Sequence, residues 1–222
     1  MNAKRALFLL VITSVHANAE EFPAPSGRFT FEGKAYIGTA TLTNATIRDK
    51  ALYFDGKYRV PAATFWPRAF RYQQFTVVTK LQPGNFTNEI ALLVGGTAHR
   101  WLALKADYRG QVKLSLNNSD FRQVIERVKV KKGEWITLAV SFDLQTLKIV
   151  VYANGVRVSQ ILLPQGFVLA VVNDAKWRDS DKVWTFTDFS SGDTFQGLVA
   201  GLLTFDTVLS DDQVMRISPQ KN

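Results

Sequence analysis

The segment "EWITLAVSFDLQTLKIVVYANGVRVSQ", residues 134–160, constrains the fold most tightly. Apolar strands fill it, and β-branched and aromatic residues recur through it. That pattern suits pleated strands with one buried face. Two turn signals divide the segment. One is "DLQT"; the other is Asn154-Gly155, a pair that accepts the positive φ of a two-residue hairpin turn. Three consecutive antiparallel strands follow, and their apolar face requires a second layer to cover it.

The same pattern runs along most of the chain. "FTVVTKLQPG" (75–84) ends in Pro-Gly, and "EIALLVGG" (89–96) ends in a glycine pair. "RWLALKADYRGQVKLSLNN" (100–118) reads as a hairpin around "DYRG", with Val112, Leu114 and Leu116 on the returning apolar face. "LVAGLLTFD" is a further strand. One helix signal comes late. Ser210 suits an N-cap, Gln213 sits at the capping-box position, and Asp211 and Asp212 favour a helix N-terminus of about two turns. Short strands separated by Gly, Asn and Asp turns predict an all-β sandwich or barrel. With no cysteine in 222 residues, such a domain is held by burial alone.

Residues 1–19 carry Lys4 and Arg5, an apolar run and a closing Ala-Asn-Ala. They are expected to be a signal peptide, too short in its apolar run to cross a bilayer. The expected location is therefore exported, either secreted or periplasmic, with no membrane span after cleavage. Residues 20–28 are expected to be a flexible leader, and 29–222 one domain. Cleavage would leave 25 basic against 19 acidic residues, a net +6. The densest basic cluster, "RVKVKK", alternates with valines as one solvated strand face does, so nucleic acid is not an expected partner.

Three segments together resemble the laminin G-like domain of the concanavalin A-like lectin/glucanase superfamily. They are "KALYFDGKYRVP" (50–61), "GEWITLAVSFDLQTLKIVVYANGVRV" (133–158) and "FQGLVAGLLTFDTVLSDDQV" (195–214). The resemblance implies an antiparallel jelly-roll sandwich of two curved sheets with one short C-terminal helix. It also implies binding of glycans or proteins, often with calcium. Fold alone does not fix function. Within these segments Trp135 and Tyr152 are expected in the core, Phe54 as an anchor, and Gly197 at a close approach or bulge.

The superfamily's glucanases carry Glu-x-Asp-x-x-Glu on one strand, where one acid donates a proton and another attacks. The six glutamates here, Glu20, Glu21, Glu32, Glu89, Glu126 and Glu134, do not form that pattern. His99 is the one histidine left after the predicted cleavage, and it is expected in a turn between strands. The expectation is a protein that is not an enzyme.

Two surfaces are candidate sites. Loop 173–193 carries Asp174, Asp179 and Asp181, with Asp188 and Asp193 beyond them. Those acids offer oxygens to a calcium ion, which takes six to eight. Trp177 and Trp184 offer flat faces to a sugar. Against this, Lys176, Arg178 and Lys182 can neutralise the acids, Trp184 can be core, and Trp177 can be a loop anchor. The second surface, "FWPRAFRYQQF" (65–75), combines Trp66, Arg68, Arg71 and Tyr72, suited to acidic sugars. Its structural alternative is a connecting loop covering the core edge. Sequons stand at Asn44, Asn85 and Asn117. The favoured expectation is an exported, non-catalytic module that binds a glycan or polysaccharide. The alternatives are a module binding a surface protein, and an atypical carbohydrate-active enzyme.

Overall fold

A computed structural model describes residues 22–31, 36–43, 45–56, 63–67, 72–96, 101–117, 121–169, 183–188 and 191–218. Among them the strands, in chain order, are β1 (Gly27–Thr30), β2 (Tyr36–Ile37), β3 (Thr39–Leu42), β4 (Thr46–Arg48), β5 (Ala51–Asp55) and β6 (Ala63–Trp66). Next come β7 (Gln74–Pro83), β8 (Ile90–Gly95), β9 (Leu102–Ala106), β10 (Gln111–Leu116), β11 (Phe121–Lys129) and β12 (Ile136–Asp143). The chain continues through β13 (Lys148–Ala153), β14 (Val156–Leu162), β15 (Trp184–Thr185), β16 (Thr187–Asp188), β17 (Asp193–Thr194) and β18 (Gln196–Phe205). A single helix, α1 (Asp211–Ile217), follows among the described residues.

Two large antiparallel sheets result. The first runs β14-β13-β12-β7-β18-β1-β2, with β5 also pairing β18 and carrying β4 at its side. The second runs β11-β10-β9-β8-β15-β6-β3. A small hairpin, β16-β17, stands apart from both. The strand pattern predicted a sandwich or barrel and the resemblance implied a jelly roll; the arrangement is consistent with a jelly-roll sandwich.

The inner faces of both sheets meet in one core. Ile136, Leu138, Val140 and Phe142 of β12 enter it with Phe75 and Val77 of β7, opposite Leu92, Leu104 and Leu114. The period of two sends Thr137, Ala139 and Ser141 to the outside of the first sheet. At the core's centre Trp101 and Trp184 pack edge-on with ring centroids 4.7 Å apart, and Phe75 meets both. Gly95 clears space for this cluster, since a Cβ there would lie 2.4 Å from the Trp101 ring. The glycine pair that reads as a strand end in sequence is thus partly a packing requirement.

Turn chemistry follows expectation. Asn154 and Gly155 adopt φ of 51° and 81° between β13 and β14. In "DLQT" the Asp143 carboxylate accepts from Gln145 N and Thr146 Oγ1, at 2.9 and 2.8 Å. In "DYRG" the Asp107 carboxylate accepts from the backbone N–H of Arg109 and Gln111. Helix α1 shows both halves of its capping box. It lies on the outer face of the first sheet, where Val214 and Leu209 cover Val78, Ala139, Val150, Tyr152 and Phe205 in a second small core.

Three expectations need correction. Strand β1 begins inside the segment read as a leader, because Gly27 and Arg28 pair with Thr204 and Leu203. Tyr152 belongs to the small core under α1 and not to the main one. Its hydroxyl donates to Asp211 at 2.9 Å. Trp135 is half-buried on the outer side, since Ile136 takes the inward position next to it.

Candidate functional site

The outer face of the first sheet is built in lateral rows. Thr137 of β12 faces Lys80 of β7, Lys80 faces Gly201 of β18, and Gly201 faces Thr30 of β1. One row of side chains therefore crosses four strands and dips at a glycine. Helix α1 covers the neighbouring part of this face and leaves the row open. A basin of about 480 Å³ lies there. That size falls within the range of small-molecule sites, roughly 300–1,000 Å³.

Its walls come from three elements. Trp135 rises from the start of β12, Ile217 closes one side from the end of α1, and the Asp49-Lys50 turn between β4 and β5 stands at another. Asp49 and Lys50 both have positive φ, 48° and 62°, which makes the turn tight enough to project from the sheet. The Lys80 ammonium lies 5.7 Å from the Trp135 ring centroid, within reach of cation–π attraction. A half-buried indole face, a cation and the polar side chains of Thr30 and Thr137 thus share one concavity.

The residues singled out from sequence are distributed differently. Trp177, Asp174, Asp179, Asp181, Arg68 and His99 lie outside the described residues. Trp184 is 1% exposed, and the central aromatic cluster leaves no indole face for a sugar. Tyr72 packs edge-on against Trp101 at 5.3 Å and leans on the core. Trp66 is half-buried, and alternation from inward Phe65 places it on the outer side of the second sheet. These three aromatics do not share a surface.

Asp188 and Asp193, at the end of the loop that carries the expected calcium ligands, hold the ammonium of Lys105. The Lys105 Nζ lies 2.5 Å from Asp188 and 2.7 Å from Asp193, with Glu89 at 3.4 Å and Ser191 Oγ at 2.8 Å. Burial alone would lower the Lys105 pKa. The hydrogen bonds to Asp188 and Asp193 outweigh it and hold the pKa above the ordinary lysine value. Glu89 also pairs with Lys113 at 3.0 Å, so the nearest glutamate to a glucanase pattern sits in an ion-pair network.

Sequence reasoning missed the basin for an identifiable reason. Trp135 looked like a core residue because it opens an apolar strand. The alternation Ile136, Leu138, Val140 already assigns it to the opposite face. The rest of the basin is set by register between strands far apart in sequence.

Among curated proteins, none matches the sequence significantly. The family model Laminin_G_3, described as the concanavalin A-like lectin/glucanases superfamily, matches residues 55–215. Among solved structures, Trypanosoma rangeli sialidase in complex with the inhibitor DANA is similar at a TM-score of 0.64 and 14% identity. The match covers 86% of this chain and 32% of the sialidase. The botulinum neurotoxin serotype D ligand-binding domain, in complex with N-acetylneuraminic acid, is similar at 0.64 and 10% identity. That match covers 87% of this chain and 50% of the toxin domain. The chain thus spans a third to a half of these structures, and at such identities the likeness is one of fold.

Proposed function

We propose, for a chain that belongs to the concanavalin A-like lectin/glucanase superfamily, a non-catalytic module that binds a glycan on the outer face of its first sheet. The observation that carries the reading is the basin with Trp135 as its aromatic wall. An indole face takes the apolar C–H side of a pyranose, while neighbouring hydroxyls and ammonium groups take its oxygens. Similarity in fold to a toxin ligand-binding domain in complex with N-acetylneuraminic acid supports the same class of ligand. Hydrolysis by the common two-carboxylate route needs a facing pair of acids. Among the described residues the basin is lined by one carboxylate, Asp49, which favours binding over turnover. Export to the periplasm or cell exterior belongs to the same proposal, since glycan surfaces lie there.

The test is a glycan and polysaccharide screen of the purified protein, run in calcium and again in EDTA. Binding is followed by tryptophan fluorescence and reducing-end release is assayed in parallel. Trp135→Ala is expected to weaken the best ligand by at least tenfold, about 1.4 kcal/mol. Binding that survives Trp135→Ala, or release of reducing ends, overturns this reading. A protein partner captured through the same face, with no sugar bound, would favour the interaction-module alternative.

A further inference from the structure

We infer that the ligand of this basin is an anionic sugar, carrying carboxylate or sulfate groups read by Lys80 and Arg28. The inference rests on the glycan-binding reading above and narrows its ligand class.

Lysines on the two outer faces are held differently. On the second sheet Lys105 and Lys113 are matched by acids, whereas Arg122, Arg127 and Lys129 of β11 are exposed to solvent. Lys105 is held by Asp188, Asp193 and Glu89, and Lys113 by Glu89 and Asp107. On the first sheet Lys80 and Arg48 meet rings and Arg28 meets open surface, while Arg157 pairs with Asp211. Lys80 lies over Trp135, and Arg48 stacks 3.8 Å from the Tyr53 ring centroid. Arg28 is exposed, and it sits across the β1–β18 pairing from Leu203, a basin wall. Arg48 likewise sits across from Ala51, another basin wall. Among the described residues none of Lys80, Arg28 and Arg48 has a carboxylate partner within ion-pair distance.

Alternation puts all three on the ligand's side of the sheet. Phe29 points into the core, so Arg28 and Thr30 point outward. Leu81 does the same for Lys80. A half-buried aromatic wall with Lys80 over it and Arg28 beside it attracts a neutral sugar through its face and an anionic one through face and charge together. In a partly desolvated concavity the second contribution is stronger than on open surface.

Two matched pairs of polymers test the inference: polygalacturonate against its methyl ester, and dextran sulfate against dextran. Poly-aspartate serves as a polyanion without sugar. Dissociation constants are measured at low and high salt for the protein, for Lys80→Gln and Arg28→Gln, and for Trp135→Ala. The expected result is at least about tenfold tighter binding of the charged member of one pair, weakening with salt. Each charge-removing substitution should weaken that binding about threefold, as one charge at a partly exposed site does. Neutral polymers should be insensitive to both substitutions. The pair that responds separates carboxylate from sulfate as the source of charge. Equal affinity for charged and neutral members, unmoved by Lys80→Gln and Arg28→Gln, overturns the anion assignment and leaves the glycan reading standing. Equally tight binding of poly-aspartate, insensitive to Trp135→Ala, marks plain charge attraction and also overturns the assignment. Failure of every sugar, charged and neutral, overturns both.

Discussion

Single residues in this protein do different work according to which side of a strand they face. Lys105 and Lys80 illustrate it. Lys105 is 7% exposed and carries a carboxylate cage, while Lys80 is half-buried beside an indole. Lys105→Met leaves the fully buried Asp188 without its counter-charge. The expected cost is about 3–5 kcal/mol by urea unfolding. Adding Asp188→Asn should recover part of that loss, because the orphaned charge is removed. Acid sensitivity is also set residue by residue. The Asp211 carboxyl is held below the usual range by the Arg157 guanidinium and the Tyr152 hydroxyl. Burial alone would raise Asp143, but hydrogen bonds from Thr146, Gln74 and Gln145 outweigh it and lower its pKa. Their folded pKa values lie below the unfolded ones, so as pH falls the unfolded state takes up these protons first. Their stabilisation is therefore complete above the unfolded value of ~3.9 and is lost as pH falls from there through the lower folded values. The raised pKa of Lys105 acts oppositely. Its contribution is complete below about 10.4 and fades only as pH rises through the folded value. Urea midpoints measured against pH should be level between these limits. The acid limb should flatten in the double variant Asp143→Asn, Asp211→Asn.

At the scale of elements, sequence signals were strongest where one strand and its turn were sufficient. The 134–160 meander, both of its turns and the capping box of α1 were legible because each is decided by neighbours in sequence. The short strands β2, β3, β4 and β15 were not, since two to four residues carry too little alternation to count. Gly197 belongs between these cases. Its close-approach role was readable, but its partner was not. It adopts a φ of 137°, and a Cβ there would lie 2.2 Å from the Gln82 carbonyl oxygen. Gly197→Ala should therefore loosen the β7–β18 pairing. The expected loss exceeds about 1 kcal/mol, the most that a Gly-to-Ala exchange gains where the backbone suits alanine, and faster amide exchange should appear along both strands.

For the whole molecule, one core joins two sheets, so unfolding is expected to be a single cooperative transition. Far-ultraviolet signals from the sheets and near-ultraviolet signals from Trp101 and Trp184 should give the same midpoint. Separate midpoints would mean that the sheets hold independently. A saturating ligand should raise the thermal midpoint by about 5–11 °C, since about 2.7 kcal/mol accompanies a hundredfold excess over Kd. By itself the sequence determined the class of fold, the main hairpins, the short capped helix and the family resemblance, because alternation, turn pairs and caps are local properties. It also contained the outward direction of Trp135, readable from the period of two. Only the tertiary structure decided that Trp184 lies in the core, that Asp188 and Asp193 grip Lys105, and that Lys80, Gly201 and Thr30 form one row with Thr137. Those facts depend on register between strands separated by up to more than a hundred residues. Register is set by the packing of two faces against each other, which no local window of sequence contains.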